Sequence, residues 1–189
     1  MKKDSETYSR DVLIGAFFVA FAIIVQTWLM GPAIVFLDIG LVIAFLVWVA
    51  QKKATAEPDI VGLYLAAVSI QCIHFLEEYL TGIQTEFPKP FGYIWSDQQF
   101  VTLNLVWLAV FVVTGVGVHY KIRLSYLVVY YFAIIGGIAN GLAHPLLSLM
   151  KGGYFPGLFT SPFVLIVGLA LLRRLMKGSR ILRPNSVSG

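Results

Sequence analysis

Five residues near the end of one apolar stretch could do chemistry: His74-Phe75-Leu76-Glu77-Glu78. An imidazole and two adjacent carboxylates can ligate a metal, move protons or carry a coupled ion. The run that holds them, Ile60 to Leu80, is otherwise apolar enough to cross a bilayer. An ionisable group at the centre of a membrane costs about 2.5–3.5 kcal/mol on the insertion scale. A partner, a metal, a water-filled cavity or a changed protonation state must offset that cost. On a helix, Gln71, His74, Glu77, Glu78 and Thr81 form one stripe, because residues three, four and seven apart stack on one face. Asn140 and His144 form a second stripe at i, i+4. Pro145 follows it and deprives the Gly141 carbonyl of its helical donor; a carbonyl freed within a membrane needs a partner or a cavity. Gly137-x-x-x-Gly141 lets another helix approach closely.

Several chemistries suit these side chains. His74, Glu78 and His144 make a two-histidine, one-carboxylate set for Zn²⁺ or Fe²⁺, with Asn140, Asn104, Tyr154 and Thr160 orienting the ligands. The di-iron bundle pattern is a paired Glu-x-x-His; here the order is reversed and occurs once, and H-E-x-x-H is absent. A metal-free alternative uses Glu77, Glu78 and Asp38 as catalytic acid and base, since a buried carboxyl stays protonated near neutrality. Isomerisation or cyclisation of a sterol or isoprenoid fits that pair. Acid–histidine networks also serve as proton or ion relays in transporters, in lipid-binding proteins, or simply to fix helix register. Gln26 and Asn104 are more often interhelical hydrogen-bond formers than site residues.

The elements that must position these groups follow from composition. Of 189 residues, 58% are hydrophobic and 13% charged, where a soluble domain carries about 25% charged residues. An integral membrane protein is the reading. The net charge of +4 is then not a nucleic-acid signal, and Cys72, the single cysteine, excludes an intrachain disulfide. Six apolar runs stand out: 12–29, 33–50, 60–80, 99–118, 124–149 and 158–172. They predict an all-α fold, a six-helix transmembrane bundle over 12–172, between a polar tail at 1–11 and a basic tail at 173–189. The first run is a retained helix, because no small-x-small cleavage site follows it.

Twelve of the 14 Lys and Arg residues fall on one side of this plan; Lys89 and Lys151 alone fall on the other. Cytoplasmic loops carry the excess of positive charge, so both termini are placed in the cytoplasm of a multi-pass membrane protein. At about 1.5 Å per residue, Gln26, Asp38, His74, Asn104, Asn140 and Thr160 lie in one slab in the outer half of the membrane. The loops 83–98 and 154–157 roof that slab. The partner implied is a membrane lipid or isoprenoid-like substrate entering sideways between helices.

Three motifs occur in order: His74-Phe75-Leu76-Glu77-Glu78, then Asn140-x-x-x-His144, then Tyr154-Phe155-Pro156-Gly157-Leu158-Phe159-Thr160. With them the chain resembles the HXXEE membrane-protein family. The resemblance covers residues 74–160, points to these motif residues as the site, and implies no particular activity. The six-span plan is also similar to that of sterol-isomerase-type membrane proteins, which use His and Glu between helices.

Overall fold

Long apolar runs form the helices, and Gly and Pro end them. The computed structural model describes residues 2–51 and 59–180, among which every regular element is helical. α1 is Lys2–Met30; a 3₁₀ turn, Pro32–Ile34, leads into α2, Val35–Ala50; α3 is Val61–Thr81. Gly82 caps α3 in the left-handed region, φ 89°, which glycine adopts without steric cost. The short α4, Ile83–Glu86, and a 3₁₀ turn, Lys89–Phe91, build the loop before α5, Asp97–His119. α5 opens on a reciprocal cap in which Ser96 and Gln99 bond each other's backbone N–H. α6, Arg123–Tyr131, runs on through a π-helical segment, Phe132–Ala139, into α7, Asn140–Lys151; α8 is Ser161–Arg180.

Four of these elements are long and apolar enough to cross a membrane: Glu6–Met30, Pro32–Ala50, Asp97–His119 and Arg123–Lys151. α3 falls short because Gln71, His74, Glu77 and Glu78 dilute its apolar face. α8 falls short because its apolar run, Pro162–Leu172, ends at Arg173-Arg174.

Other differences from the sequence reading have local causes. Residues 2–11, expected as a tail, continue α1, since nothing from Lys2 to Arg10 breaks a helix. Leu158–Thr160, expected inside the last span, belong to a turn that Gly157 starts at φ 86°. The fifth run is interrupted by π geometry, with Asn140 N–H reaching back to the Ile135 carbonyl. Lys52, Lys53 and Arg183, used in the charge argument, lie outside the described residues.

Neighbouring helices pack antiparallel. At one end of the bundle Tyr8 Oη donates to the Val49 carbonyl (3.0 Å) and Trp48 Nε1 to the Arg123 carbonyl (3.1 Å). The Arg123 guanidinium stacks there on Tyr8 and Trp48, 4.6 and 4.1 Å from the ring centres. At the opposite end Trp95 Nε1 donates to the Met30 carbonyl at 2.7 Å. α6 packs on α2 and α5, whereas the π segment and α7 pack on α8. The glycines make that second contact possible: a Cβ on Gly137 would stand 2.4 Å from Gly168 Cα. One on Gly141 would stand 2.4 Å from Leu165 Cβ. The long helices turn large apolar side chains outward, among them Phe17, Leu46, Val113 and Phe163, more than a soluble monomer commonly exposes.

Candidate metal centre

Three elements meet at the two sequence stripes. α3 carries His74, Glu77 and Glu78, α7 carries Asn140 and His144, and the turn Tyr154–Thr160 crosses between them into α8. His74, Glu78 and His144 are 0%, 8% and 4% exposed, so this is a polar group largely withdrawn from bulk water. Glu78 Oε1 stands 3.4 Å from His74 Nε2 and 3.2 Å from His144 Nε2. The two rings are perpendicular, with centres 4.8 Å apart.

The far nitrogen of each ring fixes its tautomer. His144 Nδ1 lies 2.5 Å from the Pro156 carbonyl; a carbonyl only accepts, so Nδ1 carries the proton. His74 Nδ1 lies 2.6 Å from Thr160 Oγ1, and that hydroxyl donates to Glu77 Oε2 at 2.5 Å. A hydroxyl has one proton to give, so it accepts from His74 Nδ1–H. In their neutral forms both imidazoles therefore turn a bare Nε2 lone pair towards Glu78. His74 Nε2 is buried with no hydrogen-bond partner; its approach to Glu78 is of ion-pair length, not a hydrogen bond.

These features fit a cation. Metal-binding histidines typically donate their other N–H to a carbonyl or carboxylate. With bonds of 2.0–2.2 Å, neighbouring ligand atoms of a tetrahedral ion stand about 3.3–3.6 Å apart; the observed 3.4 Å falls inside that range and 3.2 Å just below it. The three ligand atoms lie within 4.8 Å of one another. Closing that spread to about 3.3 Å moves each ring by less than about 1 Å.

Glu77 faces the other way. It accepts from Tyr154 Oη (2.7 Å), Phe159 N (2.9 Å), Thr160 N (2.8 Å) and Thr160 Oγ1. Its carboxylate is thus filled by the turn, and it reaches His74 only through Thr160. Burial, together with the bond to Glu77, raises the Tyr154 phenol above its ordinary value and keeps it a donor.

Asp38 is not brought to the group. Gln26 Nε2 and Thr27 Oγ1 bind its two oxygens at 2.5 and 2.9 Å, and Gln26 in turn accepts from Trp107 Nε1 at 3.2 Å. Asp38 and Gln26 thus join α1, α2 and α5 on the side of Trp107. Asn104 bonds the Phe100 carbonyl of its own helix (3.0 Å) and contacts neither histidine. Asn140, with Glu78 and His144, borders a cavity of about 130 Å³, room for about four waters or one benzene-sized apolar group. Aromatic residues of α5 and of the loop before it line much of the rest.

Two residues had no assigned role in the sequence beyond shaping a turn. Pro156 supplies the carbonyl that holds His144. Gly157 abuts both rings: a Cβ there would lie 2.6 Å from His144 Nδ1 and 3.0 Å from His74 Cε1. The Pro-Gly pair within a motif was the available signal, since glycine admits such close approach.

No curated protein and no solved structure matches the chain. The family model described as a protein of unknown function with HXXEE motif matches residues 63–171, which takes in α3, the rod through α7, the motif turn and half of α8. The chain belongs to the HXXEE family.

Proposed function

We propose that this chain is a six-pass membrane protein with both termini in the cytoplasm, and a metal-dependent enzyme acting on a lipid-like substrate. The metal would be Zn²⁺ or Fe²⁺ on His74, Glu78 and His144. The observation that carries the reading is the buried, unpartnered Nε2 of His74, which points with His144 Nε2 at one carboxylate oxygen. A bound divalent ion would supply Lewis acidity and a water of lowered pKa. The chain's own residues do the rest. Thr160 and the Pro156 carbonyl hold the rings in the binding tautomer. Glu77 anchors the turn, and Glu78 and Asn140 present polar groups to a mainly apolar cavity that Gln71 and Asn104 also line.

Six passes rest on the antiparallel pairing, on α3 and α8 running alongside the four more apolar spans, and on the sidedness of Lys and Arg. In this reading α3 tolerates its charges because they face the bundle interior.

A second reading has its own observation. The hydrogen-bond chain from half-buried Glu77 through Thr160 to His74 can carry a proton to the Glu78 group without any metal. Acid–base chemistry on an alkene would then use Glu78 with a histidine. Elemental analysis of purified protein separates the two: one equivalent of Zn or Fe in wild type and none in His74→Ala supports the metal centre. Metal-free wild type with activity lost in Thr160→Val supports the relay.

A further inference from the structure

We infer that the cavity beside the His/Glu group takes an uncharged lipid alcohol, with its hydroxyl on Gln71 and its apolar body along α5. The inference rests on reading that cavity as the substrate's chamber, and it names the class of substrate.

The chamber exists because the rod from α6 to α7 changes partners. α6 packs on α2 and α5, but beyond the π segment α7 packs on α8. Space opens between α5 and α7 as a result. On α5 the lining runs from Phe100 to Phe111, about 16 Å of helix. The enclosed space of about 130 Å³ takes the hydroxyl and the first few methylenes beside it, being close to the roughly 150 Å³ that holds one benzene, and the rest of an extended apolar body leaves through the cavity's open side.

Charge narrows the class. The ionisable groups that can carry charge in this lining are Glu78 and His144, and no Lys or Arg lines it. At Gln71, about 10 Å of helix from Glu78 and any ion held there, a fatty acid or phospholipid head would find no cation to replace its hydration, so an anionic head at that end carries an uncompensated desolvation cost.

Gln71 then sets the position of a polar group. It lies two turns below Glu78 on α3, about 10 Å along the axis, and it lines the same cavity. Its Oε1 is buried without a hydrogen-bond partner. Gly136 stands opposite in the π segment, where a Cβ would lie 3.6 Å from that oxygen, so no side chain covers it from that side. Neighbouring Asn104 uses its amide N–H on Phe100 and has its carbonyl oxygen left to offer. An amide's O and N can be exchanged without changing its shape. A hydroxyl satisfies Gln71 either way, because it both donates and accepts. A hydrocarbon leaves the atom unpaired, which weakens binding roughly 10- to 100-fold.

The test uses the full-length protein in detergent and three photoreactive probes carrying the same diazirine: a C16 alcohol, a C16 alkane and a C16 carboxylic acid. Labelled peptides are mapped by mass spectrometry, and bound metal is measured on the same samples. The alcohol should label the Phe100–Phe111 stretch at least tenfold over the alkane and the acid. Excess 1-hexadecanol should displace it and hexadecane should not, a comparison that needs no variant. Gln71→Leu should reduce alcohol labelling to the alkane level with metal content unchanged. Equal labelling by alkane and alcohol, preferential labelling by the acid, or full alcohol labelling in Gln71→Leu would overturn the inference. Selective alcohol labelling in protein that holds no metal would sustain it while refuting the metal centre.

Discussion

Thr160→Val is the sharpest perturbation of the centre, because valine keeps the shape and removes one hydroxyl. That hydroxyl accepts from His74 Nδ1 at 2.6 Å and donates to Glu77. After the change Glu77 still accepts from Tyr154, Phe159 N and the backbone N–H of residue 160, so the turn stays tethered. His74 Nδ1–H loses its acceptor inside a fully buried ring, at about 1–3 kcal/mol for an unsatisfied buried donor. The ring escapes that cost by moving its proton to Nε2, the atom that faces Glu78. Metal binding must then displace the proton or accept the unpaired donor. Zinc affinity should fall about 10- to 100-fold, the usual effect of removing such an outer partner. Competition with a calibrated chelator in detergent measures it, and Thr160→Ser should recover most of the loss. Wild-type zinc affinity in Thr160→Val, with only a lowered melting temperature, would show that the hydroxyl merely holds the turn.

Four further outcomes follow from particular contacts. Glu78→Gln should abolish the zinc-dependent rise in melting temperature, which in wild type corresponds to about 2.7 kcal/mol at a hundredfold excess over Kd. The metal-free variant should melt no lower than wild type, since a buried charge is removed; a large drop rescued by a change at His74 would make the group structural. Gly157→Ala should eliminate metal binding in protein that still reaches the membrane, because its Cβ would meet both imidazoles and its φ of 86° disfavours any side chain. Lys151 lies 2.6 Å from Glu86 and, by that hydrogen bond and its charge, holds the carboxyl below its ordinary value. The pair's stabilisation should be complete above the unfolded glutamate value of about 4.3 and fade as pH falls through the depressed one; the melting difference between wild type and Glu86→Gln, followed against pH, reports it. Reporter tags at Lys89 and at the C-terminus should lie on opposite sides of the membrane, and same-side tags would break the six-pass topology.

The contacts among His74, Glu78 and His144 were legible because helical spacing puts Glu78 one turn from His74 and Asn140 one turn from His144. Both stripes sit in runs where a charge must find a partner. Depth alone misplaced Asp38. Residues at one level of a bundle share a plane but not a side, and Asp38 turns to Gln26 and Thr27 on its hairpin neighbour. Asn104 fails similarly: its amide N–H turns one turn back to the Phe100 carbonyl and not to the histidines. The division of labour between Glu77 and Glu78 was hidden because adjacent residues point about a quarter-turn apart on a helix. Which one faces the turn depends on where the chain returns after α7. The π segment left only indirect signs in sequence, the glycines at 136, 137 and 141 and the proline at 145; its geometry is set by contact with α8.

The glue and the site are one structure here, and that bears on how the centre is tuned. The turn Tyr154–Thr160 is held to α3 through Glu77 and to α7 by Phe155 N on Ser148 Oγ at 3.0 Å. It continues into α8, whose Gly168 lies against Gly137 of the π segment. The same short backbone stretch supplies the Pro156 carbonyl to His144 and the Thr160 hydroxyl to His74. A network serving stability alone has no need to leave a buried imidazole nitrogen unpaired, since such an atom costs free energy wherever it has no ligand. The network closes every hydrogen bond around the rings' outer edges and leaves His74 Nε2 open towards Glu78. Tethering from opposite sides makes Nδ1 the protonated nitrogen of each neutral ring, and in that form the two Nε2 lone pairs converge on Glu78. Nitrogen-15 NMR of the two histidines tests this directly. In metal-free wild type at neutral pH both should show protonated Nδ1 and bare Nε2, and in Thr160→Val only His144 should keep that state. Protonated Nε2 on both rings of the wild type would mean two imidazolium–carboxylate pairs, and the case for a preformed cation centre would fall.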